Sequence, residues 1–138
     1  MITGTYASVL ALLLVILSFR VIALRGMPAF KWFAFGNNGE EGLARAIRAH
    51  GNLIEYAPIF MILMLVAEMG GLKDNALHSY GTVFIIARLM HGYCFGFLKH
   101  NIVLRVGGTS LTLFSILGLA ILVISIPAYT TWSRRAYW

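Results

Sequence analysis

Charge is scarce in this sequence: Asp, Glu, Lys and Arg make up 12% of its 138 residues, and only five of them are acidic. Ordinary globular domains have about 25%, so too few charges are present to solvate the surface of a water-soluble protein. Hydrophobic residues reach 59% and the mean hydropathy is +0.81. A chain this short buries too little of its own surface to hide so many apolar side chains in one core. Lipid is the remaining place for them. A soluble enzyme and a disordered tail are excluded on this ground. The single cysteine, Cys94, excludes an intrachain disulfide and a cysteine-based zinc motif. It reads as a small packing residue. The four histidines are scattered along the chain, so no metal site is expected.

A basic stripe is missing too. Eleven Lys and Arg give a net charge of +6, but they lie between apolar runs, as the basic loops of an inner-membrane protein do. No nucleic-acid partner is expected. Residues 1–19 have no charge, no basic n-region and no small-residue cleavage site, so the first apolar run is expected to be retained as a span and not removed as a signal peptide.

What is there divides into four apolar runs, approximately 5–24, 43–69, 76–98 and 106–129. Each has about the 20 residues that a helix needs to cross hydrocarbon. Helices are favoured because lipid leaves no other partner for the backbone polar groups. The expectation is an all-α integral membrane domain over 1–138, a four-transmembrane-helix bundle. Arg25–Gly42 is a polar loop containing Pro28, with Asn38 and Glu41 spaced as a capping box. Gly70-Gly71 reads as a tight turn, with Asp74 or Asn75 to cap the third helix. Arg20, Arg25, Lys31, Arg45, Arg48, Lys99 and Arg105 share one side, which the positive-inside rule makes cytoplasmic. Both termini are then outside, with Arg134 and Arg135, and with Tyr129, Trp132, Tyr137 and Trp138 as an interfacial belt.

Ionisable groups inside a span are expensive, and they mark where to look for function. At 100° per residue, Arg45, Arg48, Asn52, Glu55 and Tyr56 fall within a sector of about 100° on the second helix. His50 lies well off that sector. Arg88, His91 and Phe95 share a face of the third helix. Glu55 lies about 15 Å past Arg45, and Arg88 about 16 Å before Lys99, so the depths match. A buried Glu55–Arg88 pair is geometrically reasonable and would tie the bundle together. The set is larger than one ion pair requires. Arg25, Arg45, Arg48 and Arg105 outnumber Glu40, Glu41 and Glu55, which suits a small anionic ligand that also bears an amine.

The run Arg45-Ala-Ile-Arg48-Ala-His50-Gly-Asn52-Leu-Ile-Glu55-Tyr56-Ala-Pro58 resembles the second-helix signature of the MAPEG superfamily, the membrane-associated proteins in eicosanoid and glutathione metabolism. Ala87-Arg88-Leu-Met-His91 resembles its third-helix motif. The short chain is most similar to the small bacterial members, near the microsomal glutathione transferases. The resemblance implies a homotrimer that binds glutathione between neighbouring subunits at the cytoplasmic face. Arg48, Asn52, Glu55 and Tyr56 would hold the tripeptide, with His50 where relatives have His or Gln. Arg25 falls where relatives have a basic pair, and His91 where Tyr is frequent. Arg45 and Arg88 complete the implied binding set, and Arg105 matches the arginine that stabilises the thiolate. Two departures stand out. Gly26 replaces the second basic residue of the pair, and Phe95 stands where an aromatic hydroxyl is common, Tyr93 being turned to another face.

A glutathione thiol resembles cysteine, with a pKa near about 8.5, so a guanidinium beside it in a dry pocket would activate it as a nucleophile. The implied activity is a glutathione transferase or peroxidase, with glutathione as co-substrate and an apolar electrophile or lipid hydroperoxide arriving from the bilayer. A second reading is a protein of this fold that binds glutathione or another anionic metabolite without turnover. A third is a transport component using Arg88 and Glu55 as a relay. Elsewhere, Met61, Met64, Met69 and Phe60 read as span packing, Glu68 as an interfacial charge, and His78 and His100 as loop or helix-end residues. Trp32, Phe33 and Phe35 either lie on the membrane interface or lid the site.

Overall fold

The apolar runs fold into four long helices: α1 (Ile2–Leu24), α2 (Glu40–Met69), α3 (Asp74–Phe97) and α4 (Ile102–Arg135), with a short 3-10 helix over Pro28–Phe33 in the first loop. The structure is a computed structural model and describes residues 1–36, 39–98 and 101–135, without the side chains of 126–135. Asn38, Lys99, His100 and the proposed belt and terminal arginines (Tyr129, Trp132, Arg134, Arg135, Tyr137 and Trp138) lie outside the described residues or side chains. Each helix begins before its apolar run does, at residue 2 against 5, 40 against 43, 74 against 76 and 102 against 106. In α2 and α3 the added opening residues are polar, Glu40 and Glu41 in one and Asp74 and Asn75 in the other, where free backbone amides need no apolar neighbour.

The caps differ from the expected ones. Gly39 is the N-cap of α2, at φ +90°, a conformation that favours glycine, and no side chain caps the helix. Glu41 instead sits in the positive first turn beside Glu40 and lies 3.7 Å from Arg45. Lys73 takes the N-cap position of α3, and Asp74 is the first helical residue, acting on the helix dipole and not as a cap.

Three helices are long and apolar enough to cross a membrane: α1, α2 and the Ile102–Ser125 part of α4. Among the described helices α3 is long enough but too polar, because Asp74, Asn75, His78, Arg88 and His91 interrupt it. Its polar groups are matched by its neighbours. Leu17 of α1, Phe60 and Met64 of α2, Phe84 of α3 and Leu119 of α4 form the buried core. The Phe60 and Phe84 rings stack at 3.8 Å between centroids. At Gly108 a Cβ would come within 3.0 Å of the Ala87 carbonyl oxygen and 3.1 Å of the His91 nitrogen, so α4 seats directly on the α3 backbone there. Close approach through small residues is the usual way for membrane helices to pack.

The end of the bundle away from the arginine-rich loops has its own fastening. The Glu68 carboxylate accepts the amides of Ile2 at 2.6 Å and Thr3 at 2.9 Å. It is therefore the cap of α1, which has no acidic residue in its first turn, and not a merely interfacial charge. Glu68→Ala should speed amide exchange at Ile2 and Thr3 and lower the melting temperature in detergent. Unchanged exchange at these two amides would show that water serves them equally well. Nearby, the Tyr6 hydroxyl donates to the His78 carbonyl at 3.0 Å and lies 3.0 Å from the Thr82 hydroxyl. Its ring occupies the space that a side chain at Gly81 would fill.

Candidate functional site

The polar faces of α2 and α3 do meet, and α4 closes the third side. Arg88 is 3% exposed. One terminal nitrogen donates to Asn52 Oδ1 of α2 at 2.5 Å, and the other donates to the Thr112 hydroxyl of α4. Thr112 passes the bond on to the Gly108 carbonyl at 2.7 Å. The guanidinium also lies over the rings of Tyr56 and Phe84, at 5.5 and 5.6 Å. Its Nε is buried with no hydrogen-bond partner.

One turn further along α3, the His91 ring stacks on Phe95 at 4.6 Å. The same Phe95 ring carries two exposed cations: Arg48 of α2 at 5.9 Å and Arg105 of α4 at 5.5 Å. Guanidiniums rest on aromatic faces readily. Among the described residues no carboxylate is paired with Arg48, Arg88 or Arg105. Three cations gather around one histidine and one ring, without an acid among them, a concentration of positive charge that suits an anion.

The expected Glu55–Arg88 pair is not formed. Asn52, one turn before Glu55, and Thr112 take the terminal donors of Arg88. Glu55 is exposed on the surface of the single chain. With the pair goes the contact on which the relay reading rested. Arg25 and His50 form a separate group. His50 Nε2 is 3.0 Å from the Ser18 hydroxyl, and both residues line a cavity of about 230 Å³ between α1 and α2, with Val21, Ile22 and Ile47. The sequence-derived set therefore divides in two: Arg48, Asn52, Tyr56, Arg88, His91 and Arg105 together where the cations gather, Arg25 and His50 on another face. Half-buried Arg45 stands at the head of α2 beside Glu41. A larger cavity of about 350 Å³ between α3 and α4, lined by Ser79, Tyr80, Val83, Phe114 and Ser115, touches none of them.

One buried arginine escaped the sequence reading. Arg20, counted there with the basic loops, is fully buried within α1. Its Nε donates to the Gly96 carbonyl at 3.0 Å, and its two terminal nitrogens donate to the carbonyls of Phe33 and Phe35. The guanidinium lies 5.1 Å from the Phe35 ring and 5.0 Å from the Phe97 ring. The signal was available: an arginine inside the apolar run 5–24 is as costly as those of the second helix. Phe33 and Phe35 also pack on Phe97, at 5.8 and 5.9 Å, so they cover the end of α3 while Trp32 stays 73% exposed.

Two comparisons with known proteins bear on this arrangement. The model of the MAPEG family matches residues 3–125. Inner membrane protein YecN of Escherichia coli K12 is 43% identical over 95 residues, covering 69% of this chain and 70% of that protein. The protein of the same name from E. coli O6:H1 strain CFT073 matches to the same extent.

Proposed function

This chain belongs to the MAPEG family, and from that premise we propose that it is a glutathione-binding membrane protein that activates the glutathione thiol against apolar electrophiles or lipid hydroperoxides. It is a membrane protein, with three helices suited to lipid and relatives named as inner membrane proteins. The observation that carries the proposal is the convergence of Arg48 and Arg105 on the Phe95 ring with no acid to balance them. Guanidinium forks grip the carboxylates of the tripeptide. Asn52 and Tyr56 line the deeper wall, and Arg88 is held behind them as a fixed positive charge. Arg105, at the open end of the proposed cleft, faces the thiol.

The chain crosses the inner membrane four times in this proposal, α3 included, with both termini outside and the cleft on the cytoplasmic side. It works as a homotrimer. A mid-helix carboxylate such as Glu55 needs cover from lipid, and one subunit leaves it exposed. A neighbouring copy would cover it and could bring its own Arg25 and His50 to the cleft. Native mass spectrometry from detergent is expected to report trimers; monomers alone would remove this part of the proposal.

Calorimetric titration of the purified protein with glutathione tests binding, and conjugation of a model aryl halide tests turnover. Arg48→Ala should weaken binding by about 1.5–3 kcal/mol, the range for a hydrogen bond to a charged group. Because Arg48 is exposed in the chain, the melting temperature without ligand should hardly change. A fall in stability with affinity intact would make Arg48 scaffolding. Phe95 favours a second reading, binding without turnover, since it offers no hydroxyl to the thiolate; tight binding without conjugation is its signature.

A further inference from the structure

Arg20 stands outside everything assigned so far. A buried charge is costly unless fully hydrogen-bonded, yet no acid is paired with Arg20 among the described residues. Its compensation comes from three backbone carbonyls, each facing a different nitrogen of the guanidinium, and from two ring faces. One carbonyl, that of Gly96, belongs to the last turn of α3. That turn is the negative end of the helix dipole, and α3 has no basic residue of its own there. Arg20 supplies the cation from α1. The other two carbonyls lie in the first loop, so one side chain joins α1, the loop and the end of α3.

The residue before Gly96 is Phe95, the ring under Arg48 and Arg105. The approach of α1 is close here: a Cβ at Gly96 would lie 3.4 Å from Leu17, and one at Gly92 would lie 3.6 Å from it. We propose that Arg20 is a positioning residue of the anion cleft: it ties the last turn of α3 and the loop to α1, and so fixes the Phe95 ring on which Arg48 and Arg105 rest. It touches no ligand. The assignment rests on the reading of the cleft as the glutathione site, and it adds a residue to that site through the backbone alone. Lysine could not replace it, because one ammonium cannot reach three carbonyls spread over two segments.

The chain contains its own reporter. Cys94, its single cysteine, is buried beside Phe95 and donates to the Asn101 carbonyl at 3.2 Å. The experiment compares wild type, Arg20→Gln, Arg20→Lys and Tyr6→Phe in detergent. It measures the rate of Cys94 alkylation by N-ethylmaleimide and the affinity for glutathione. Tyr6→Phe loosens the opposite end of α3 and controls for general destabilisation. Arg20→Gln should speed alkylation about tenfold through local opening and weaken glutathione binding about tenfold. Arg20→Lys should lie between Gln and wild type, and it carries the comparison if the Gln variant does not fold. Tyr6→Phe should change neither quantity. Alkylation at the wild-type rate in the Arg20 variants overturns the proposal, as does an equal rise in Tyr6→Phe. So does faster alkylation with unchanged glutathione affinity. If wild type binds no glutathione, the reading of the cleft fails on that result, while the alkylation comparison still decides for or against the Arg20 tie.

Discussion

Arg88→Ala should lower the stability of the bundle by about 3–5 kcal/mol, measured by denaturation in mixed micelles. Large-to-small changes in a packed core cost about 2–5 kcal/mol through lost contacts and the cavity left behind. The loss of the partner of Asn52 and the second contact of Thr112 adds to that. Arg88→Met fills most of the space without a charge. Methionine leaves Asn52 and Thr112 without their partner just as alanine does, so the Met variant should still lose about 1–3 kcal/mol, less than the alanine variant because little cavity is left. It should also bind glutathione more weakly, since the fixed positive charge behind Asn52 is gone. An alanine variant as stable as wild type would show that Arg88 does not tie the three helices together.

The second large effect concerns Arg105. If its guanidinium faces the sulfur of bound glutathione, ultraviolet difference spectra at neutral pH should show a thiolate. A thiol pKa lowered by about two pH units corresponds to about 2.7 kcal/mol of thiolate stabilisation. Arg105→Ala should remove the signal and the conjugation rate together, with little change in glutathione affinity, because Arg48 still grips the carboxylate. The side chain is exposed and leaves no cavity, so stability should be unaffected. Loss of affinity with the thiolate signal intact would assign Arg105 to binding, and the proton chemistry to another group.

Periodicity carried the sequence reading far. The 100° rotation that puts Arg48, Asn52 and Tyr56 on one face of α2 is the rotation that the structure shows, as is the Arg88–His91–Phe95 face of α3. Matching depths brought these faces to the same level. They did not say which α2 residue would meet Arg88, because a choice between Asn52 and Glu55 depends on a helix rotation of about 60° and on Thr112 arriving from α4. Such contacts between distant residues leave no periodic trace. Phe95 shows the same limit. Read as a missing hydroxyl, it is in the fold the platform for two arginines and a histidine. Arg20 was misread for another reason: lying near the end of its span it counted as a loop charge, although its side chain runs inward to carbonyls remote in sequence.

The composition of α3 has a consequence for how the protein is made. On insertion scales an arginine at the centre of a lone helix costs about 2.5–3.5 kcal/mol, and His91 and the polar first turns add to the burden on α3. Yet the helix buries Arg88 and His91 against α2 and α4, where Asn52, Thr112 and the backbone at Gly108 await them. During synthesis α3 emerges after α2 but before α4, so half of its polar cover has yet to leave the ribosome. A nascent chain stopped before Thr112 should hold α3 poorly, leaving it prone to slip back into water or to be taken by quality-control proteases. In the four-span arrangement proposed above, commitment of α3 to the bilayer waits on α4, and the fourth helix decides whether the third stays in.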